Sequence, residues 1–141
     1  SNEGFNSIAL GDNQVSINAS ISWSFGFVVD SIENVLYLPD RSNNRIRKIE
    51  LNNNNKISTI CGNGTADSTG DEDLSIRATI FQPYFLAIDE KNRKLFVLEF
   101  KRFEEETLQN IRIIDLNSGI ITTLNKRNLS IFQIQNSTSF G

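Results

Sequence analysis

The chain has 141 residues, no histidine, no methionine and one cysteine, with 38% hydrophobic and 22% charged residues and a net charge of −3. That balance fits a folded globular chain and excludes a disordered one, while the lone Cys61 excludes an internal disulfide framework. No apolar run approaches the roughly 18 residues that span a bilayer, and the mild acidity disfavours a phosphate-tracking surface.

Eighteen isoleucines beside ten phenylalanines point to strands. Residues 1–10 read as the tail of a preceding unit, with Ile8 and Leu10 finishing a strand. Residues 11–30, GDNQVSINASISWSFGFVVD, then return as residues 70–89, GDEDLSIRATIFQPYFLAID. Gly11, Asp12, Ser16, Ile17, Ala19, Ile21, Asp30 and Leu36 recur identically 59 positions on as Gly70, Asp71, Ser75, Ile76, Ala78, Ile80, Asp89 and Leu95. Self-similarity at such a period marks a repeat architecture. In the first unit, strands are predicted over 25–29, 35–38, 45–51 and 57–60. Polar turns at 31–34, 40–44 and 52–55 join them, a four-stranded meander.

The second unit repeats the meander with strands predicted over 85–88, 95–98, 111–116 and 120–124. Six extra residues stand between its second and third strands, where 100–110 (FKRFEEETLQN) is expected to be a loop. Residues 129–141 read as the start of a further unit or a disordered end, with Ser139-Phe140-Gly141 echoing Ser24-Phe25-Gly26.

Four short strands per unit point to a β-propeller blade. The run Leu36-Tyr37-Leu38-Pro39-Asp40, then Asn43-Asn44-Arg45-Ile46-Arg47-Lys48-Ile49, Ile57-Ser58-Thr59-Ile60 and Gly62-Asn63-Gly64 closely resembles the NHL repeat. Gly70-Asp71, Ala78 and Gln82-Pro83 look like that family's inter-blade sequence. Pro39 stands where the family has a small residue, Cys61 where it has Ala, and Glu99 replaces the expected Asp. The second unit also lacks the Asn-Asn-Arg turn. The resemblance implies an all-β fold of four-stranded antiparallel blades, with one blade at 11–69 and a second, divergent blade at 70–128. At 59 residues per unit, 141 residues make about 2.4 blades, whereas a closed ring takes at least about four. The expectation is an incomplete ring within a longer chain, completed by further blades in cis or by an assembly of copies.

Candidate chemistry is sparse. Asp67, Asp71 and Asp73 with Glu72 form an acidic loop of the kind that offers oxygen ligands to Ca²⁺, but the spacing fits no EF-hand, and the expectation is a solvated connection whose glycines supply positive φ, with no metal. Asp40, Asn43, Asn44 and Arg45 read as a structural turn, with Asp40 capping it and Arg45 bracing it. Phe100, Lys101, Arg102 and Phe103 are the partner-contact candidates, because the insertion breaks the repeat and loops carry recognition. Glu104, Glu105 and Glu106 cancel most of the basic field beside them. Without histidine, the commonest general base and zinc ligand is missing. Cys61 reads as a small buried residue.

The function these residues imply is a non-catalytic scaffold that binds a protein or ligand through propeller loops, with no catalytic residue and no cofactor. Two alternatives stay open. One is part of a metal-dependent lyase or lactonase whose catalytic residues lie on other blades, and the other is an RNA-binding NHL propeller. The compartment is open, with a lean to the extracellular or cell-surface side.

Overall fold

A computed structural model of the chain describes residues 10–22, 24–102 and 107–124, with side chains described at all of these except 101, 102, 107 and 108. Strands fall where β-branched and aromatic residues run between polar turns. They are β1 (Val28–Asp30), β2 (Val35–Asp40), β3 (Arg45–Glu50), β4 (Lys56–Cys61), β5 (Asp73–Leu74), β6 (Pro83–Asp89), β7 (Lys94–Arg102), β8 (Thr107–Asp115) and β9 (Ile120–Leu124). Over the described residues the protein is all-β, with two antiparallel sheets ordered β1-β2-β3-β4 and β5-β9-β8-β7-β6. Short 3₁₀ turns stand at Ser16–Asn18 and Arg41–Asn43. No helix among the described residues is long and apolar enough to cross a membrane.

The chain reverses at left-handed asparagines. Asn34 (φ 54°) and Asn44 (φ 49°) follow the first and second strands of the first sheet, and Asn54 and Asn55 (φ 51° and 53°) follow the third. Asparagine tolerates this conformation better than other residues with a side chain.

The expected elements need three corrections. Residues 100–110 are mostly not a loop. Strand β7 runs on to Arg102 and β8 starts at Thr107, pairing Phe100 with Gln109, Lys101 with Leu108 and Arg102 with Thr107. The six inserted residues therefore add three rungs to a hairpin. An even insertion, three residues per strand, keeps every side chain on its original face. Secondly, the strand expected over 25–29 starts at Val28 and ends at Asp30, and the one expected over 35–38 extends to Asp40. Thirdly, the stretch after Gly70 is not only connective, because it supplies β5. The expected strand end at Ile8 and the echo at Ser139-Phe140-Gly141 lie outside the described residues.

Each sheet has its outer edge closed by the chain that precedes it. The N–H groups of Asn13 and Ser16 donate to the carbonyls of Ile57 (2.7 Å) and Asn55 (2.9 Å) beside β4. Likewise Glu72 and Ser75 donate to Ile121 and Gly119, both at 2.8 Å, beside β9. Unpaired edge groups are thereby removed. The returning segment folds tightly in both units: a Cβ on Gly11 would stand 2.7 Å from the Ala19 Cα, and one on Gly70 2.8 Å from the Ala78 Cα.

The two sheets pack face to face over one apolar core. Val35, Tyr37, Ile46 and Cys61 of the first sheet meet Leu95, Val97, Ile114 and Ile121 of the second, with Ala78 and Ile80 of the connecting segment between them. Polar contacts between the two units flank this core. The Ser31 N–H and hydroxyl both donate to Glu90, and Arg93 closes a 2.7 Å ion pair with the buried Asp30. Burial with the nearby Asp30 charge pushes the Tyr37 phenol up to about 12, so it stays protonated.

Burial alone would raise the Asp30 pKa, but the Arg93 guanidinium and the N–H groups of Glu33 and Ile32 outweigh it and hold the carboxyl below 3.8. A folded-state pKa lowered in this way contributes stability above the unfolded value, and that stability is lost as pH falls through the folded one. Arg93→Met is therefore expected to destabilise the chain at neutral pH. The gap from the wild type should narrow as pH falls from about 5 to 3, where Asp30 takes up its proton in the variant. Urea midpoints across that range check it, and a gap independent of pH would contradict it.

Candidate functional site

Arg47 organises the first unit. Its guanidinium is fully buried and reaches Asp12 at 2.7 Å and Asp40 at 3.1 Å. It also donates to the carbonyls of Leu10 (3.1 Å) and Ser20 (3.4 Å). A planar fork of donors suits two carboxylates and two carbonyls arranged around it. Arg47 thus fastens the returning segment to the sheet. Asp40 is fully buried as well, and its Oδ1 accepts the Ser22 N–H (2.9 Å), the Ser22 hydroxyl (3.1 Å) and the Asn43 side-chain amide (2.8 Å).

The same node recurs in the second unit around Arg112. It pairs with Asp71 at 2.9 Å and Glu99 at 3.6 Å and donates to the carbonyls of Thr69 (3.1 Å) and Thr79 (3.3 Å). Each partner stands 59 residues after its counterpart around Arg47. The Phe81 N–H donates to Glu99 at 2.8 Å, as the Ser22 N–H does to Asp40. The Ser68 hydroxyl sits in the gap, accepting from Arg112 (3.0 Å) and donating to Glu99 (2.6 Å). Glutamate at position 99 therefore does the work that aspartate does at position 40.

The sequence-predicted turn residues come together around this node. Asn44 takes the left-handed conformation, accepts the Gln82 N–H at 2.9 Å and donates to the Gly64 carbonyl. Arg45 donates to the carbonyls of Asn43 and Asn63, both at 2.9 Å, and its guanidinium lies against Gly64. Burial, then the neighbouring Arg47 charge, lowers its pKa from the ordinary value. The ion-pair partner that Asp40 shows is Arg47, two positions beyond Arg45.

The acidic-loop carboxylates have separate structural employments. Asp67 accepts the Ser68 N–H, Asp71 pairs with Arg112, and Asp73 accepts the Leu74 N–H and faces Arg77 at 3.6 Å. Among the described residues no group of three or more His, Cys, Asp or Glu side chains could hold a metal ion. Cys61 is buried in the core, and burial pushes its thiol up to about 12. A thiol so protonated is a poor nucleophile.

The partner-contact candidates lie at one end of the sheets. Phe100 is half-buried, in a strand and not in a loop, and its ring centroid stands 6.0 Å from that of Tyr84. Lys101 and Arg102 are in β7, their side chains outside the described residues, as is the whole of Phe103. Sequence reasoning missed the cluster beside them. Phe25 and Tyr84, equivalent positions in the two units, stack at 4.6 Å. Arg41 lies over both rings, at 5.7 and 5.3 Å, and donates to the Gln82 side chain at 3.4 Å. Cations over aromatic faces attract them electrostatically. This rim is an aromatic and cationic ledge at the root of the extended hairpin. The offset-59 match of Phe25 with Tyr84 was the available signal, since it sets an aromatic at the same rim position of both units.

Comparison with known proteins adds no relative: no family model matches the chain, and no curated protein sequence matches it.

Proposed function

We propose that the chain is part of an NHL-type β-propeller, with blades at 11–69 and 70–128, and that it serves as a non-catalytic scaffold binding a protein at the rim beside the β7–β8 hairpin. The observation that carries the reading is the hairpin itself. It projects three rungs beyond the turn that closes the equivalent hairpin of the first unit, and its root is pinned by Phe25, Arg41, Tyr84 and Phe100. A rigid root lowers the ordering cost of binding, and aromatic and arginine side chains dominate the energetics of protein recognition. The repeated sheet order and the two arginine nodes support the repeat reading.

The test is panning a displayed peptide library on the 141-residue chain, followed by removal of the six inserted residues. The selected peptides are expected to lose at least about tenfold in affinity while the melting temperature holds. Peptides that bind the shortened chain equally well would refute the reading.

A further inference from the structure

The packing between the two sheets uses one face of each, and the repeat fixes what the other two faces carry. On the far side of the second sheet, Phe96, Leu98, Ile111 and Ile113 occupy the positions of Tyr37, Pro39, Ile46 and Lys48, the face that packs inward in the first sheet. That far face is open: Phe85 is 51% and Ile111 37% exposed, and a shallow groove of about 190 Å³ runs between Phe85, Ala87, Phe96, Leu98 and Ile111. On the outer side of the first sheet, Ile21, Val29, Leu36 and Ile49 occupy the positions of Ile80, Ile88, Leu95 and Ile114, which pack inward in the second. Ile21 is 39% and Val29 45% exposed. The chain thus carries both halves of an interface that it already makes once internally.

We infer that the open face of the second sheet docks a second copy of this chain, head to tail, through the outer face of that copy's first sheet. The contact continues the internal interface and is heterologous, since different patches meet. Exposed apolar patches of this kind mark interaction sites. One feature of the internal interface is missing from it. Where Arg93 pairs with Asp30, the incoming copy would present Asn34 to Asp89. The backbone there is already suitable for arginine, because Asn34 has φ 54° and Arg93 φ 55°. The inference rests on the repeat reading and not on the binding role proposed for the hairpin.

Sedimentation equilibrium of the 141-residue chain tests it. Association should rise with concentration beyond the dimer and be lost in Ile111→Asp and in Ile21→Asp, both partly exposed positions. Mixing these two variants should restore a one-to-one pair that grows no further, because each keeps one intact face. Asn34→Arg should tighten self-association about tenfold, as expected of a new charge-assisted pair, and lose that gain in an Asp89→Asn background. Circular dichroism confirms that each variant is folded. A chain that stays monomeric at every concentration overturns the inference and leaves the face to a further sheet or another protein. A dimer broken by Ile111→Asp alone, with no recovery on mixing, overturns it in favour of a symmetric contact. Neither result bears on peptide capture at the hairpin.

Discussion

Arg47→Met is expected to remove a large part of the stability of the fold. The substitution leaves the Asp40 carboxylate buried with only neutral donors from Ser22 and Asn43, strips Asp12 of its counter-ion, and frees the Leu10 and Ser20 carbonyls from their donor. Breaking a buried ion pair by deleting one partner costs about 3–5 kcal/mol, against a total of about 5–15 kcal/mol for an ordinary domain. Lysine should not rescue it, because a point charge cannot serve two carboxylates and two carbonyls arranged around a fork. Arg112→Met should cost less. Asp71 is 44% exposed and can be rehydrated, and the Ser68 hydroxyl still serves Glu99. Urea unfolding of the two variants side by side checks the order, and an equal loss in both would contradict it.

The second large effect is expected from Gly62→Ala. Gly62 has φ +88°, and a Cβ there would lie 2.3 Å from the Asn44 carbonyl oxygen and 2.8 Å from the Ile80 Cγ2. The left-handed backbone costs about 1–2 kcal/mol for a residue with a side chain. Overpacking adds about 1–3 kcal/mol, because Ile80 is itself buried in the core between the sheets. Gly119→Ala separates the two contributions. It has φ +76°, but its nearest neighbour is the Leu74 Cδ2 at 3.6 Å, so only the backbone cost applies. Thermal melts should show the Gly62 variant losing two- to threefold more stability than the Gly119 variant. Similar losses would mean that the Asn44 turn yields easily.

The identical residues in the two units were legible as a repeat before their jobs were. Gly11 and Ala19, with Gly70 and Ala78, turn out to be close backbone approaches. Asp12 and Asp71 are the outer carboxylates of the nodes. Asp30 caps a turn through the N–H groups of Ile32 and Glu33, as Asp89 does through Asn92. Each of these positions was visible because its offset is 59. The arginines were not, because the inserted rungs shift Arg112 to 65 residues after Arg47, and an alignment at constant spacing sets it beside Asn53. The insertion itself misled in a second way. Its charged sequence reads as solvated loop, whereas pairing across a hairpin depends on register, which composition does not carry. The rim was hidden for a similar reason, since Arg41 sits in a turn whose polar residues account for it without any aromatic neighbour.

The span of each arginine node along the chain bears on how such a protein can be copied and edited. Asp12 and Arg47 are 35 residues apart, and Asp71 and Arg112 are 41 apart. Both spans are shorter than the 59-residue unit, so duplication of one whole unit carries every charge of its node along. A new unit then arrives with its own node electrically complete, and the remaining charge to match is the pair between units, where Arg93 meets Asp30. Deletion of a whole unit likewise leaves the other node whole, at the cost of parting Asp30 from Arg93, while a breakpoint inside those spans strands a buried charge of the node itself. Gain and loss of units should therefore be tolerated best at junctions between nodes, and best of all where the new neighbour again sets a cation against the carboxylate at the Asp30 position.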